Sequence, residues 1–291
     1  MNQSDLDPDA LKKLKPRTQE EVKKLLNNVE SEAEVTIPIG FRNLVNETFE
    51  KTFPNTEEEY NKLFSDTCSN IFSFNETFQA HGSELDSQCR DFIDKLIIQL
   101  YQETNGKGVG NDFWAHIRVI WNLNQSVSDL DKIDSNHLSA EFNVNQILWV
   151  YVQIYELTIH FLTDISRRIA FERRKDDVHS KKFQKLCRKR KASGKTVSKF
   201  ELSQYFDSQD FMEGWSCPVV QDANVRNKIA HSDYYYDDET KELIFGNKHY
   251  ELEEFMAVLK AHHSFYCYLI YKCFQESGFI DQFENLAQKK K

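Results

Sequence analysis

Between about residues 142 and 172, apolar side chains return every three or four positions: Val144, Ile147, Leu148, Tyr151, Ile154, Tyr155, Leu162, Ile165 and Ile169. A 3.6-residue period sustained over several turns fits an amphipathic α-helix and no strand. Such a stripe must be covered, and the chain supplies two more like it. Cys89, Phe92, Ile93, Leu96, Leu100 and Tyr101 share one face of a helix expected over 84–104, with Ser83 as its cap and Gly106, Gly108 and Gly110 ending it. Leu252, Phe255, Met256, Leu259, Tyr266, Ile270 and Cys273 do the same in a final helix over about 251–275. With 9 Gly and 5 Pro in 291 residues, a turn-rich barrel or sandwich is disfavoured. The expected fold class is mainly α.

The remaining segments fill in around these helices. Residues 1–80 are expected to form an additional N-terminal helical region. It begins with a polar arm over 1–30 that holds Pro8 and Pro16, and the acidic TEEEYNKLF reads as a helix start. Ser198 opens a short amphipathic piece through Phe206, and GWSCPVVQDAN (214–224) reads as a loop. DYYYDDETKELIFGN alternates on both sides of a polar turn, the pattern of a β-hairpin. Trp114, Trp121 and Trp149 are expected as core anchors. The expected division is 1–80, a bundle over 84–277 with its core at about 140–277, and a tail over 278–291.

No apolar run reaches the ~18 residues of a membrane span, and MNQSDLDPDALKK has no apolar core, so neither a membrane segment nor a signal peptide is expected. Six cysteines (68, 89, 187, 217, 267 and 273) show no C-x-x-C spacing, which points to reduced thiols and a cytoplasmic location. Sequons at Asn46, Asn75 and Asn124 are then chance matches.

The net charge of −9 is unevenly spread. Residues 167–195 carry thirteen Lys or Arg against Glu172, Asp176 and Asp177, a net +10, which leaves −19 on the rest of the chain. A polyanion would be repelled by most of this surface and drawn to one segment. Arg173, Arg174, Lys181, Lys182, Lys185, Arg188, Lys189, Arg190 and Lys191 are the candidate RNA-binding residues, against the plainer alternative of a solvated helix face.

Residues 226–231 read Arg-Asn-Lys-Ile-Ala-His. On a helix Asn227 and His231 share a face, whereas Arg226 and His231 lie about 140° apart. One straight helix would not aim both at one phosphate, but two copies across a dimer axis could present both residue types around one cleft. The plainer alternative is a helix C-terminus, with His231 near the last carbonyls and Arg226 paired to Asp222. A second Arg-to-His match, Arg174 to His179, lies in a charge-dense stretch with no hairpin behind it and reads as a decoy.

With its following hairpin, VRNKIAHSDYYYDDETKELIFGNKHYELEEF resembles the signature of HEPN domains: an arginine, a polar residue, three variable residues and a histidine late in a four-helix bundle. The resemblance covers about 140–277, extending toward 84, and not 1–80. It implies a HEPN-like helical bundle with a small β-hairpin after the motif helix. It also implies a homodimer and a metal-independent endoribonuclease leaving a 2′,3′-cyclic phosphate. Arg226, Asn227 and His231 would be the catalytic residues. His231 would move protons at the 2′-hydroxyl or the leaving oxygen, Arg226 would stabilise the pentacoordinate phosphate, and Asn227 would orient the histidine or substrate. A toxin or defence role, and an antitoxin or regulatory protein as partner, belong to the same implication. Because some relatives bind without cutting, the alternative is a non-catalytic module that takes RNA, a nucleotide or a protein partner.

Other clusters are weighed beside the motif. Glu156 and His160, with Asp164 a turn further, form a polar line that is either solvent face or part of the cleft. GKGVG (106–110) reads as a helix cap and not a phosphate loop. His262 and His263 are expected as core or surface residues and not as ligands, so no metal or cofactor is expected. The tyrosines at 234–236 are candidates for base stacking or plain packing.

Overall fold

The computed structural model describes residues 75–109, 112–131, 141–209 and 223–278, together with isolated helical positions at Glu20, Lys23, Lys24, Asn27, Glu58, Glu59, Lys62, Asp66 and Ser73. Most of the expected N-terminal region, nearly all of the loop at 214–224, Asp222, Cys68, Cys217, Asn46 and the tail beyond 278 lie outside the described residues. The chain divides into two units, one of Met1–Glu76, Asn111–Ala115 and Gly278–Lys291, the other of Thr77–Gly110 and His116–Ser277. The second unit carries the features below.

The described elements run in the order α1 (Ser87–Glu103), α2 (Asp112–Asp131), α3 (Glu141–Arg173), α4 (Val178–Ala192), α5 (Lys199–Asp207), α6 (Ala223–Ala230), β1 (Tyr235–Asp237), β2 (Glu242–Phe245), β3 (Lys248–Glu251) and α7 (Leu252–Glu276). The protein is mainly helical, as its apolar periodicity implies. No described helix is long and apolar enough to cross a membrane.

Helices α1, α3 and α7 pack on one another, and α4 and α6 each lie against α3. The apolar residues that define the stripes on α3 and α7 are all buried. Where α1, α3 and α7 meet, the core is aromatic: Tyr151 lies 5.0 Å from Phe255, Phe161 6.0 Å from Tyr266 and Phe92 6.1 Å from Phe265, ring centre to ring centre. Each fully buried side chain of this size contributes about 2–3 kcal/mol of transfer free energy. The Tyr101 hydroxyl donates to the Cys273 carbonyl at 2.9 Å and ties the end of α1 to α7.

Local chemistry sets the helix ends. Asp86, not Ser83, caps α1, accepting the Cys89 N–H at 2.7 Å, while Ser83 donates to the Ala80 carbonyl within a 3-10 turn. A carboxylate at this position also complements the positive helix end. Beyond Thr104, Gly106 takes φ +81° and returns its N–H to the Tyr101 carbonyl, so GKGVG is a helix stop. Ser198 caps α5 in a reciprocal box with Glu201.

The expected hairpin is a three-stranded antiparallel sheet, β1-β2-β3, because Lys248–Glu251 turns back onto β2 before α7 begins. Leu243 and Phe245 are buried, and Phe245 meets Phe255 of α7 at 5.7 Å. Trp149 corrects an expectation: it is 57% exposed on α3. The side chains of Trp114 and Trp121 lie outside the described residues. Cys89, Cys187, Cys267 and Cys273 are buried free thiols.

Candidate functional site

Helix α6 has only eight residues, too few to be stable alone, so tertiary contacts must hold it. Val225 is buried, and the next residue, Arg226, turns onto α3. Its Nη2 pairs with the Glu156 carboxylate, and its Nη1 donates to Asn227 Oδ1 at 2.9 Å. Arg226 Nε is buried without an acceptor, a donor that an incoming oxygen would satisfy. The plainer pairing of Arg226 with Asp222 falls on a residue outside the described ones, and Glu156 is the carboxylate found on the guanidinium.

His231 closes the helix. Its N–H reaches the Asn227 carbonyl at 3.0 Å, after which Ser232 adopts φ +55°. Ser232 N–H then bonds the Ile229 carbonyl and Asp233 N–H bonds the Lys228 carbonyl at 2.8 Å. This crossed pair satisfies the last carbonyls and ends α6 abruptly. A non-glycine residue in that conformation costs roughly 1–2 kcal/mol. The Lys228 ammonium, 2.5 Å from the Asp233 carboxylate, clamps the same turn. The His231 side chain is exposed, and no described hydrogen bond joins it to Arg226 or Asn227. The site brings Arg226, Asn227 and Glu156 together and leaves His231 at the rim.

The tyrosines behind the motif divide. Tyr234 donates to Asn145 of α3 at 2.9 Å and fixes the sheet to the long helix. Tyr235 is 62% exposed, and the Tyr236 hydroxyl is buried without a partner.

One turn past Glu156, His160 is exposed and lines a different feature, an open cavity of about 620 Å³ between α3, α4 and the 195–197 segment. Arg167, Arg168, Arg188, Arg190, Lys191 and Lys195 border it, with Phe171 on its wall and Asp164 the one carboxylate in its lining. Cations beside an exposed aromatic ring suit a phosphate backbone and an unstacked base.

The candidate basic residues are not equivalent. Lys181, Lys182, Lys185, Arg188, Lys189 and Lys191 are exposed on α4. Arg190 instead grips Glu201 of α5 through Nε and Nη2, and those bonds hold the Glu201 carboxyl below its ordinary range despite burial that raises it. Arg173 pairs with Glu103 at 3.5 Å and donates to Gln209 at 2.9 Å. Arg174 lies over its own Phe171 ring at 3.6 Å, so the second Arg-to-His match sits at the corner between α3 and α4, with His179 exposed.

Sequence reasoning missed His116 of α2. Its Nε2 lies 3.2 Å from the Asp164 carboxylate and its Nδ1 3.0 Å from the Tyr266 hydroxyl. A carboxylate can only accept, so in the neutral ring Nε2 carries the proton and Tyr266 donates to Nδ1. Burial pushes the Tyr266 phenol well above its ordinary range, which keeps it a donor. Asp164 also takes the Arg167 guanidinium at 3.2 Å. The one signal available was the polar line Glu156, His160, Asp164; nothing near His116 in sequence pointed to its partners.

Fold and site together define a mainly helical bundle with a short Arg-Asn…His helix next to a cationic groove. No protein-family model, curated protein or solved structure matches the chain.

Proposed function

We propose that this protein is a metal-independent endoribonuclease of HEPN type, acting as a homodimer and serving as a toxin or defence effector. The observation that carries the reading is that Arg226 of α6 pairs with Glu156 of α3, one helical turn, about 5.4 Å of rise, from His160 in the lining of the groove. A strand lying in that groove through Arg188, Lys191 and Lys195 would bring a phosphate toward α6.

In this reading a base removes the ribose 2′-hydroxyl proton and the oxygen attacks the adjacent phosphorus. The P–O5′ bond then breaks as the leaving oxygen takes a proton. The products are a 2′,3′-cyclic phosphate and a 5′-hydroxyl. His231, exposed at the end of α6, serves the proton transfers. Arg226 stabilises the charge on phosphorus, its planar fork already oriented by Glu156 and Asn227. Because the nucleophile belongs to the ribose, the reaction is RNA-selective and needs no metal. An antitoxin or regulatory protein would cover the same face.

A second reading, a non-catalytic module that binds RNA, a nucleotide or a protein partner, has one observation in its favour. Arg226 is already neutralised by Glu156, so a phosphate must displace a carboxylate to reach it.

End-labelled single-stranded and structured RNAs, incubated with the purified dimer without added divalent ions, separate the two. The nuclease reading expects cyclic-phosphate ends and a loss of about 10²–10⁴-fold in His231→Ala. RNA that is retained but intact favours the binding module. Cleavage that survives in His231→Ala refutes the assignment of the motif.

A further inference from the structure

Far along α7 from the sheet, the core holds a second cluster of chemically capable side chains. His263 and Cys267 stand at i and i+4, so both project from one face of the helix. Both are buried, at 4% and 0% exposure. The Cys267 Sγ lies 3.4 Å from His263 Nε2. A third ligand arrives from another part of the chain: His81, ahead of the 3-10 turn Gly82–Glu84, presents its ring to His263 edge-on with centroids 5.0 Å apart. One ligand atom from each of His81, His263 and Cys267 lies within 4.8 Å of the others.

These separations have a chemical meaning. Zinc bonds of ~2.3 Å to sulfur and ~2.05 Å to nitrogen, set at the tetrahedral angle, place the two ligand atoms about 3.6 Å apart. The 3.4 Å between Cys267 and His263 is close to that edge. The third ligand is oriented from behind as metal-bound histidines are. His81 Nδ1 lies 3.0 Å from a Glu84 carboxylate oxygen and 3.1 Å from the Ser264 hydroxyl, and Ser264 itself donates to Glu84. With Nδ1 so engaged, Nε2 is the nitrogen left for a metal, and a carboxylate behind a histidine raises its basicity as a ligand.

The backbone is fitted to the same end. A Cβ on Gly82 would sit 2.5 Å from the Tyr268 ring, so only glycine lets the turn bearing His81 lie this close to α7. The sequence expectation for His262 and His263 passed over Cys267, four residues from His263, and nothing in the sequence pointed to His81, more than 180 residues away.

We propose that His81, His263 and Cys267 form a zinc site that fastens the His81–Glu84 turn to α7, with Glu84 and Ser264 orienting His81 and a fourth position left for water. On binding, the Cys267 thiol releases its proton to solvent and ligates as the thiolate. The site uses none of Arg226, Asn227 or His231, and it stands or falls independently of the ribonuclease reading.

The test uses the full-length chain, stripped with chelator, dialysed, and titrated first with Zn²⁺ and then with Co²⁺. One equivalent of Zn²⁺ should remain after dialysis, and Co²⁺ should give a sulfur-to-metal charge-transfer band that Cys267→Ser abolishes. Glu84→Gln, at a partly exposed position, should weaken Zn²⁺ about 10- to 100-fold while keeping the band. His81→Gln, also away from the deepest packing, should lose the tight equivalent with helix content unchanged by circular dichroism. A wild type that retains no metal, or a charge-transfer band that persists in Cys267→Ser, overturns the proposal.

Discussion

Helices α4 and α6 both lie on α3 and both carry positive charge, yet they are built on opposite principles. α4 is anchored along its inner face by Phe183, which stacks on Tyr205 at 4.2 Å, and by buried Gln184 and Cys187. Its outer face is a run of interchangeable cations, and Lys189, Arg190 and Lys191 also suit the negative end of the helix. α6 has two turns and one buried apolar residue among its described positions, Val225, and both its charged residues are engaged, Arg226 with Glu156 and Lys228 with Asp233. Charge on α4 is plentiful and replaceable, whereas on α6 each polar side chain has one post. Substitutions should therefore act gradually on the first helix and all at once on the second.

The sharpest break is at Arg226. Arg226→Ala removes both the phosphate donor and the strut to Glu156, so cleavage should fall about 10²–10³-fold. Amide exchange across Ala223–Ala230 should speed up in the same variant. Arg226→Lys should rescue the exchange in part but not the cleavage, since an ammonium cannot reproduce the fork that reaches Glu156 and Asn227 together. If alanine slows cleavage and leaves exchange untouched, the arginine is not the strut described here.

On α4 the expected response is smaller and additive. Neutralising Arg188, Lys189 and Lys191 together should weaken RNA binding about tenfold and lower the salt-dependence slope by up to about 3, with any single change worth about 1. Arg190 is left out for a structural reason: Glu201 holds it, and Glu201 also completes the cap of α5. Arg190→Gln should instead cost stability, about 1 kcal/mol. Binding curves against salt for the triple variant, beside urea melts for Arg190→Gln, would distinguish the free cations from the bound one. Equal effects on both would dissolve the distinction.

The same contrast shows where sequence is readable. Stripes on α1, α3 and α7 were legible because a 3.6-residue period reports burial directly, residue by residue. It does not report partners. Arg190 and Arg173 looked like free cations because Glu201 and Glu103 come from other elements. His116 was invisible because its partners lie 48 and 150 positions away, on helices it meets only in the fold. Trp149 was misread for a different reason: the same period sets it about 160° from the buried stripe of α3, on the face the structure exposes, and its size was weighed where its position decided. Glu156 was the exception. Its place on the polar line of α3 made it a cleft candidate, and that line is where Arg226 lands.

The mildest effect concerns the platform on which the α4 cations stand. Asp177 caps that helix, accepting from the N–H groups of His179 and Ser180 at 2.9 Å each and from the Gln209 amide at 3.2 Å. Burial raises its pKa, but the bonds from Ser180, Gln209 and the two backbone amides outweigh this and bring the carboxyl down from 3.8 to about 2. A depressed carboxylate pKa means that the charged cap stabilises the folded chain fully above pH 3.8, and that the contribution is lost as pH falls through about 2. The carboxylate is partly solvated, so the expected size is that of an ordinary cap, about 1 kcal/mol, or about 2–4 °C in melting temperature for a unit of this size. Urea unfolding of wild type and Asp177→Ala across a pH series should show a constant gap from neutrality to about pH 4 that narrows below it. The variant's RNA affinity at neutral pH should change by less than that of the triple neutralisation, since every cation on α4 remains. A gap that ignores pH would assign the cap to shape and not to charge, and would remove the electrostatic half of the argument for α4.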